Sequence, residues 1–381
     1  MEIDARIRYE SPGVGVRFES IAPGHPDRLE SWVSTLTPPS PPAHSPDPRQ
    51  RSPLRPAGVR IAGTGLAAPK HVVTSAELAQ RHGQDEAWIV QRTGIRERRI
   101  ADDGTTVIDL AREAVAQALD RASIPASRLD LLLCATLTGE MVCPSTAARV
   151  VHELGAGRAG AMDVNAACSG FVYGLNLGSG LIEAGRARTV AVVGADLLSR
   201  ITDWNEPRTS SLFGDGAGAA VLVAGDDPEQ GCLYQSMNSN GSLWRELYLP
   251  THASQVPEGA VFSGALHKLQ MNGREVYKFA VSTLLETVDV ALAATGLTLD
   301  DIAMIVAHQS NARILESVRE KLGLPTEKVY VNIDRFGNTS AASVAICLHE
   351  LFEARRIGRG DRVMMLAVGG GMTWASSVWR L

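Results

Sequence analysis

Met162-Asp-Val-Asn-Ala-Ala-Cys-Ser-Gly170 (MDVNAACSG) has an echo later in the chain, VYVNIDRFGNTSAAS over residues 329–343. Each reads as an apolar strand end, a Val-Asn pair and a run of small residues leading into a helix. The two Val-Asn pairs lie 332 − 165 = 167 positions apart. Two more pairs fall at similar offsets: LDLLLCAT (129–136) with DDIAMIVAHQ (300–309), and ARTVAVVGAD (187–196) with DRVMMLAVGGG (361–371). A repeat this long and degenerate predicts gene duplication into two similar halves instead of a solenoid. Short aliphatic runs alternate with Ala-rich helical stretches, so each half is expected to be α/β with buried, largely parallel strands. The seam is placed near Gly231, giving halves at 58–230 and 231–381.

The 381 residues are 45% hydrophobic with a net charge of −5, the composition of a globular chain without the basic excess that nucleic acid calls for. Five scattered cysteines (134, 143, 168, 232, 347) form no C-x-x-C pair. Neither a disulfide framework nor a zinc site is therefore indicated, and a reducing, cytoplasmic setting is expected. No apolar run reaches the ~20 residues of a membrane span. Between Pro38 and Pro56, 8 of 19 residues are proline, which removes donors and fixes φ. Residues 1–57 are expected to be a Pro-rich, disordered extension outside the fold.

Three segments gather chemistry. Cys168 sits between a strand end and the apolar run SGFVYGLNLGSGLIEAG. A thiol at a helix start meets unpaired N–H groups and the helix dipole, which lowers its pKa. A buried structural cysteine fits the same position. His308 leaves the apolar strand Ile302–Ala307 where open α/β sheets place ligands, although a lone histidine is usually a satisfied core or surface residue. Asn338 follows Val329–Asn332, and Gly-Asn turns are common. If the duplication holds, Asn338 and Cys168 occupy related loops.

The remaining motifs are less decisive. Phe213-Gly-Asp-Gly-Ala-Gly-Ala219 lacks the spacing of a phosphate loop and is expected to be a tight turn before the strand Ala219–Ala224. Gly63-Thr-Gly65 reads as a strand-to-loop turn, and Val368-Gly-Gly-Gly371 could offer backbone N–H groups to an oxyanion. In Trp88-Ile-Val-Gln-Arg92, helical spacing puts Trp88 and Arg92 on one face, where they could sandwich a flat ring. The arginines that follow could meet phosphates or simply form a solvated basic helix end.

The set WIVQRTGIRERRI, NAACSGF, FGDGAGAA, AHQSNARI, FGNTSAAS and GGGMTW, in that order from about Val59 to Leu381, resembles the β-ketoacyl-acyl carrier protein synthase III family. The resemblance implies the thiolase-like fold, two duplicated α/β halves in a five-layer sandwich, as a homodimer. It implies a catalytic Cys168, His308 and Asn338, with an oxyanion hole from the backbone N–H groups of Cys168 and Gly370. Coenzyme A would be met by Trp88, Arg92, Arg208 and Asn311, and the acyl carrier protein by Arg313. The implied cycle loads an acyl-CoA primer on Cys168; malonyl-carrier protein then loses CO₂ and its enolate attacks the acyl-Cys. Neutral donors suit an enolate, so Asn at 338 fits decarboxylative condensation where Asp would repel the charge. No bound cofactor or metal is expected.

In this family the residue before Pro144-Ser145 lies at the floor of the neighbouring subunit's primer pocket. An aromatic there accompanies short primers, so Cys143 implies a longer or more branched one. Two alternatives stand beside this reading: a specialised-metabolism acyltransferase or condensing enzyme of the same fold, and a Cys-His-Asn hydrolase.

Overall fold

The computed structural model describes residues 58–227, 229–258 and 265–381, with the backbone of two strands nearer the N-terminus. The chain divides into two compact units, residues 1–53 and 54–381. In the first, strands Arg6–Glu10 and Gly15–Ser20 pair antiparallel. The Pro-rich stretch 38–56 lies outside the described residues.

Two sheets organise the second unit. Strands β1 (Gly58–Ala67), β2 (Leu131–Ala135), β3 (Gly160–Val164), β4 (Thr189–Leu197) and β5 (Asp215–Gly225) form the first, in the order β1-β5-β4-β2-β3. Strands β6 (Gly231–Ser239), β7 (Met304–Ala307), β8 (Arg362–Gly369) and β9 (Thr373–Arg380) form the second, in the order β6-β9-β8-β7. Matching β1 with β6, β5 with β9, β4 with β8 and β2 with β7 gives one topology twice, with β3 as an extra edge strand. The expected partner of β3, Val329–Asn332, is reduced to a single bridge between Val329 and Ile305. Here the buried Gln309 side chain stands in for a strand: its amide donates to the Tyr330 carbonyl (3.1 Å) and accepts from the Asn332 N–H (3.0 Å).

The helices of the described residues include α1 (Glu86–Thr93), α2 (Val107–Arg121), α3 (Thr146–Glu153), α4 (Gly170–Glu183), α5 (Gly273–Thr295), α6 (Ala312–Lys321) and α7 (Ala342–Glu353). Alternation along the strands decides which helices each face receives. Val190 and Val192 of β4 turn towards α4 and α7, whose Phe171, Leu175, Val344 and Leu348 also pack on Met365 and Trp379 of the second sheet. Ala191 and Val193 turn the other way, onto α2 and α3. The outer face of the second sheet, with Met364 and Leu366, carries α5 and α6. The result is five layers, helix–sheet–helix–sheet–helix. Each fully buried aliphatic or aromatic side chain contributes roughly 1.5–3 kcal/mol.

Two expectations need correcting. The sheets are mixed, not largely parallel: β2 pairs in parallel with β3 and β4, and β7 with β8, but β5 runs antiparallel to β1 and β4. The short return from Gly369 to Thr373 can only make β8 and β9 antiparallel. Nor are Gly63–Gly65, or Gly216 and Gly218 of FGDGAGAA, turns, because they lie inside strands β1 and β5. A Cβ at Gly218 would sit 2.6 Å from the Ala345 Cβ, so glycine there lets α7 lie directly on the sheet.

Candidate active site

The strand β3 ends at Val164, and four residues later the chain presents Cys168. Ala167 makes the turn at φ +45°, a left-handed conformation that costs a residue with a Cβ of order 1–3 kcal/mol. Its N–H donates to the Asn165 side chain (3.3 Å), and the Thr373 hydroxyl donates to the Ala166 carbonyl (2.9 Å), tying the turn to β9. A Cβ on Gly369 would lie 2.8 Å from the Cys168 nitrogen, so only glycine lets β8 end against this turn. The Ser340 hydroxyl and the backbone N–H groups of Cys168 and Gly370 favour the thiolate. The expected fall in thiol pKa is nonetheless reversed: burial outweighs these donors and pushes it up to about 11. At rest Cys168 is a thiol.

His308 leaves β7 with its N–H bonded to the Leu366 carbonyl (2.8 Å). The Ser343 hydroxyl meets its Nδ1 at 2.7 Å while also accepting the Gln309 N–H (3.3 Å). With the Ser343 hydroxyl as the donor to Nδ1, the imidazole proton sits on Nε2. Burial lowers the pKa to about 3, so the ring is a neutral donor.

Asn338 is held by its backbone, donating to the Leu212 carbonyl (2.9 Å) and accepting from the Gly214 N–H (3.0 Å). Its Oδ1 accepts the Ser340 N–H (2.9 Å), which commits the oxygen and leaves the amide hydrogens as donors. Behind Leu212, the guanidinium of Arg98 donates to the Ser211 carbonyl (2.9 Å) and the Ser75 hydroxyl (3.2 Å). Arg98 is wholly buried, so this part of the arginine-rich run is neither a phosphate contact nor a solvated helix end.

A cavity of about 1200 Å³ joins these groups. Cys168, His308, Asn338 and Gly370 line its inner part, and Trp88, Arg92, Arg208, Asn311 and Arg313 also line it. One wall thus brings together a thiol, two backbone N–H groups, a neutral imidazole donor and a carboxamide donor. That set can receive an acyl group on sulfur and stabilise negative charge on a carbonyl oxygen.

A family model described as 3-oxoacyl-[acyl-carrier-protein] synthase III matches residues 162–241, and its C-terminal model matches 292–381. The β-ketoacyl-[acyl-carrier-protein] synthase III of Caldanaerobacter subterraneus is 43% identical over 319 residues, 84% of this chain and 96% of that protein. The chain belongs to the synthase III family. The 3-oxoacyl-[acyl-carrier-protein] synthase III of Thermus thermophilus superposes with a TM-score of 0.80 at 40% identity, covering 84% of this chain and 98% of that one. The priming β-ketosynthase of the R1128 polyketide pathway gives 0.80 at 32% identity, covering 88% and 99%.

Within the synthase III frame, the outer residues differ in detail from the sequence expectation. Trp88 and Arg92 do share a face, but the guanidinium lies on the indole itself, 4.4 Å from its centroid, and leaves no slot between them. Arg208 is paired with Glu206 (2.7 Å), a surface ion pair that a phosphate can replace. Asn311 caps α6 through the Arg313 N–H (2.8 Å) and holds the Arg92 carbonyl (3.0 Å), so it joins the helices that carry both arginines. Cys143 is exposed and is not among the residues lining this cavity. Sequence reasoning missed Ser343, Ser340 and Arg98. A serine in the first turn of an otherwise apolar helix was the available signal for Ser343; nothing marked Arg98 as buried.

Proposed function

We propose that this synthase III family member starts fatty acid or polyketide chains by a two-step cycle on Cys168. The Cys168 sulfur attacks the carbonyl carbon of an acyl-CoA, the N–H groups of Cys168 and Gly370 hold the developing oxyanion, and CoA leaves. Malonyl-acyl carrier protein then enters and loses CO₂. His308 Nε2–H and the Asn338 amide stabilise the enolate oxygen, and the enolate carbon attacks the acyl-Cys to give a 3-oxoacyl-carrier protein. The observation that carries this reading is the placing of the two second-half groups: the Ser343 hydroxyl lies 2.7 Å from His308 Nδ1, which puts the ring proton on Nε2 when the serine donates, and the Ser340 N–H occupies Asn338 Oδ1 and leaves its amide hydrogens free to donate.

On this reading Trp88, Arg92, Arg208 and Asn311 receive coenzyme A, Arg313 faces the acidic carrier protein, and no bound cofactor is required. The active form is a homodimer. In support, β3 is an open sheet edge, Met162 on it is 45% exposed, and Met141 and Val142 beside it are 52% and 105% exposed. A second copy pairing on that edge covers an apolar patch that a monomer leaves in water. The loop carrying Cys143 then reaches the partner's primer pocket, and a primer longer or more branched than acetyl is expected. Unchanged chain-length preference in Cys143→Phe removes that last assignment.

Intact-mass measurement after exposure to a panel of acyl-CoAs tests the whole reading. A mass gain on the wild type that is lost in Cys168→Ser identifies nucleophile and primer together; if no acyl-CoA labels Cys168, the reading fails.

A further inference from the structure

The loading step raises a question about a proton. Cys168 rests as a thiol, and a thiol is a poor nucleophile until its proton is gone. His308 is badly placed to take it, because its Nδ1 is already engaged with the Ser343 hydroxyl at 2.7 Å and its buried ring resists a positive charge. A different ionisable group lies behind the nucleophile. Asp196, at the end of β4, is 1% exposed and pairs with no cation among the described residues. Its Oδ1 accepts three hydrogen bonds, from the Leu137 N–H (2.9 Å) and the hydroxyls of Thr138 (3.0 Å) and Thr136 (3.1 Å). Its Oδ2 is buried with no partner.

Ser340 occupies the space between. It lines the cavity with Cys168, and its buried hydroxyl makes no well-formed hydrogen bond, although it is near enough to Cys168 and Asp196 to favour the charged form of each. That hydroxyl lies beside both the Cys168 thiol and the Asp196 carboxylate. Ser340 has φ +52°, a left-handed conformation that costs a residue with a Cβ of order 1–3 kcal/mol. Burying a carboxylate oxygen and a hydroxyl without well-formed hydrogen bonds next to a reactive thiol costs stability.

We propose that Asp196, acting through the Ser340 hydroxyl, takes up the Cys168 proton when the acyl group is loaded. This rests on the synthase reading and adds the proton acceptor to it. As sulfur attacks the thioester carbonyl carbon, the thiol proton passes to Ser340 Oγ and the Ser340 proton passes to Asp196 Oδ2. The tetrahedral adduct collapses, the C–S bond to coenzyme A breaks, and the proton returns by the same route to the departing thiolate. The balance is Cys–SH plus acyl-S-CoA giving Cys–S-acyl plus CoA–SH, with no net charge left in the protein. Burial, which raises the Asp196 carboxyl above its usual range, makes it a better acceptor. The Cys134 thiol on β2 feels the Asp196 charge and is held protonated by burial.

The test is the rate of Cys168 acylation by acyl-CoA, followed by mass against pH, in wild type, Asp196→Asn and Ser340→Ala. Decarboxylation of malonyl thioester is measured alongside in each. Both variants are expected to load about 10²-fold more slowly at neutral pH. The deficit should shrink with rising pH as hydroxide replaces the relay, and decarboxylation should suffer less than loading. An equal, pH-independent loss in both half-reactions means that the two residues are structural and overturns the relay. Wild-type loading in both variants overturns it as well. Failure of the wild type to load any acyl-CoA sinks the synthase reading instead, so the two failures are distinguishable.

Discussion

The turn that carries Cys168 and the turn that carries Asn338 are built alike and used in opposite ways. In both, an asparagine side chain accepts the N–H of the residue two places on, Ala167 in one case and Ser340 in the other. In both, that residue has a left-handed φ, +45° and +52°, and a sheet-spanning helix follows. The structural offset is therefore 338 − 165 = 340 − 167 = 173, not the 167 of the Val-Asn pairs. Five of the six extra residues make the helical turn Ile333–Phe336 and its Gly337. Asn338 thus corresponds to Asn165, and the counterpart of Cys168 is Ala341. Cys168 opens on the cavity, whereas Ala341 is fully buried, with its carbonyl 2.4 Å from where a Gly194 Cβ would be. A duplicated turn has kept its backbone while one copy presents the helix-start residue and the other presents the asparagine.

The largest effect should come from moving the thiol. Cys168→Ala is expected to abolish acyl loading, and adding Ala341→Cys should restore none of it. A mass gain on the double variant would show that the second turn is open after all. Next come the asparagines. Asn338→Ala should slow malonyl-thioester decarboxylation by about 10²–10³-fold. Asn165→Ala should lose only a turn hydrogen bond, about 1 kcal/mol in denaturant unfolding, with a much smaller loss of rate. Equal kinetic losses would mean that the two amides still share a role.

Ser343→Ala, which frees the His308 tautomer, should cost decarboxylation about tenfold, the worth of one hydrogen bond. Its loading rate should stay near wild type. The smallest signal is in stability. His308 falls to about 3 in the folded chain from an ordinary 6.5, so its contribution is intact above pH 6.5 and is lost progressively as pH falls towards 3. Melting temperature between pH 7 and 4 should drop less steeply in His308→Gln than in wild type; parallel curves would mean that the ring is not held neutral.

Much of this was legible in the chain. The apolar runs and their echo give the two α/β halves, and the six motifs lead to Cys168, His308 and Asn338, which share one cavity. What was hidden depended on packing. Glycines of β1 and β5 look like turns because a sequence does not show the helix pressed against them. The strand at Val329–Asn332 was over-read because a Gln309 side chain does the work of a backbone. The thiol pKa went the wrong way because the helix start is visible in sequence and the burial that outweighs it is not. Asp196 looked like the end of an apolar strand and nothing more.

The guanidinium of Arg92 resting on Trp88 has a consequence for how anything enters. A flat ring that stacks on that indole must first displace a side chain already there, attached one helical turn away. Arg92 acts as a tethered competitor with an effective concentration on the order of millimolar. On the proposed coenzyme A reading, a weak planar molecule loses this competition, and a ligand gains by offering the displaced arginine a phosphate to hold.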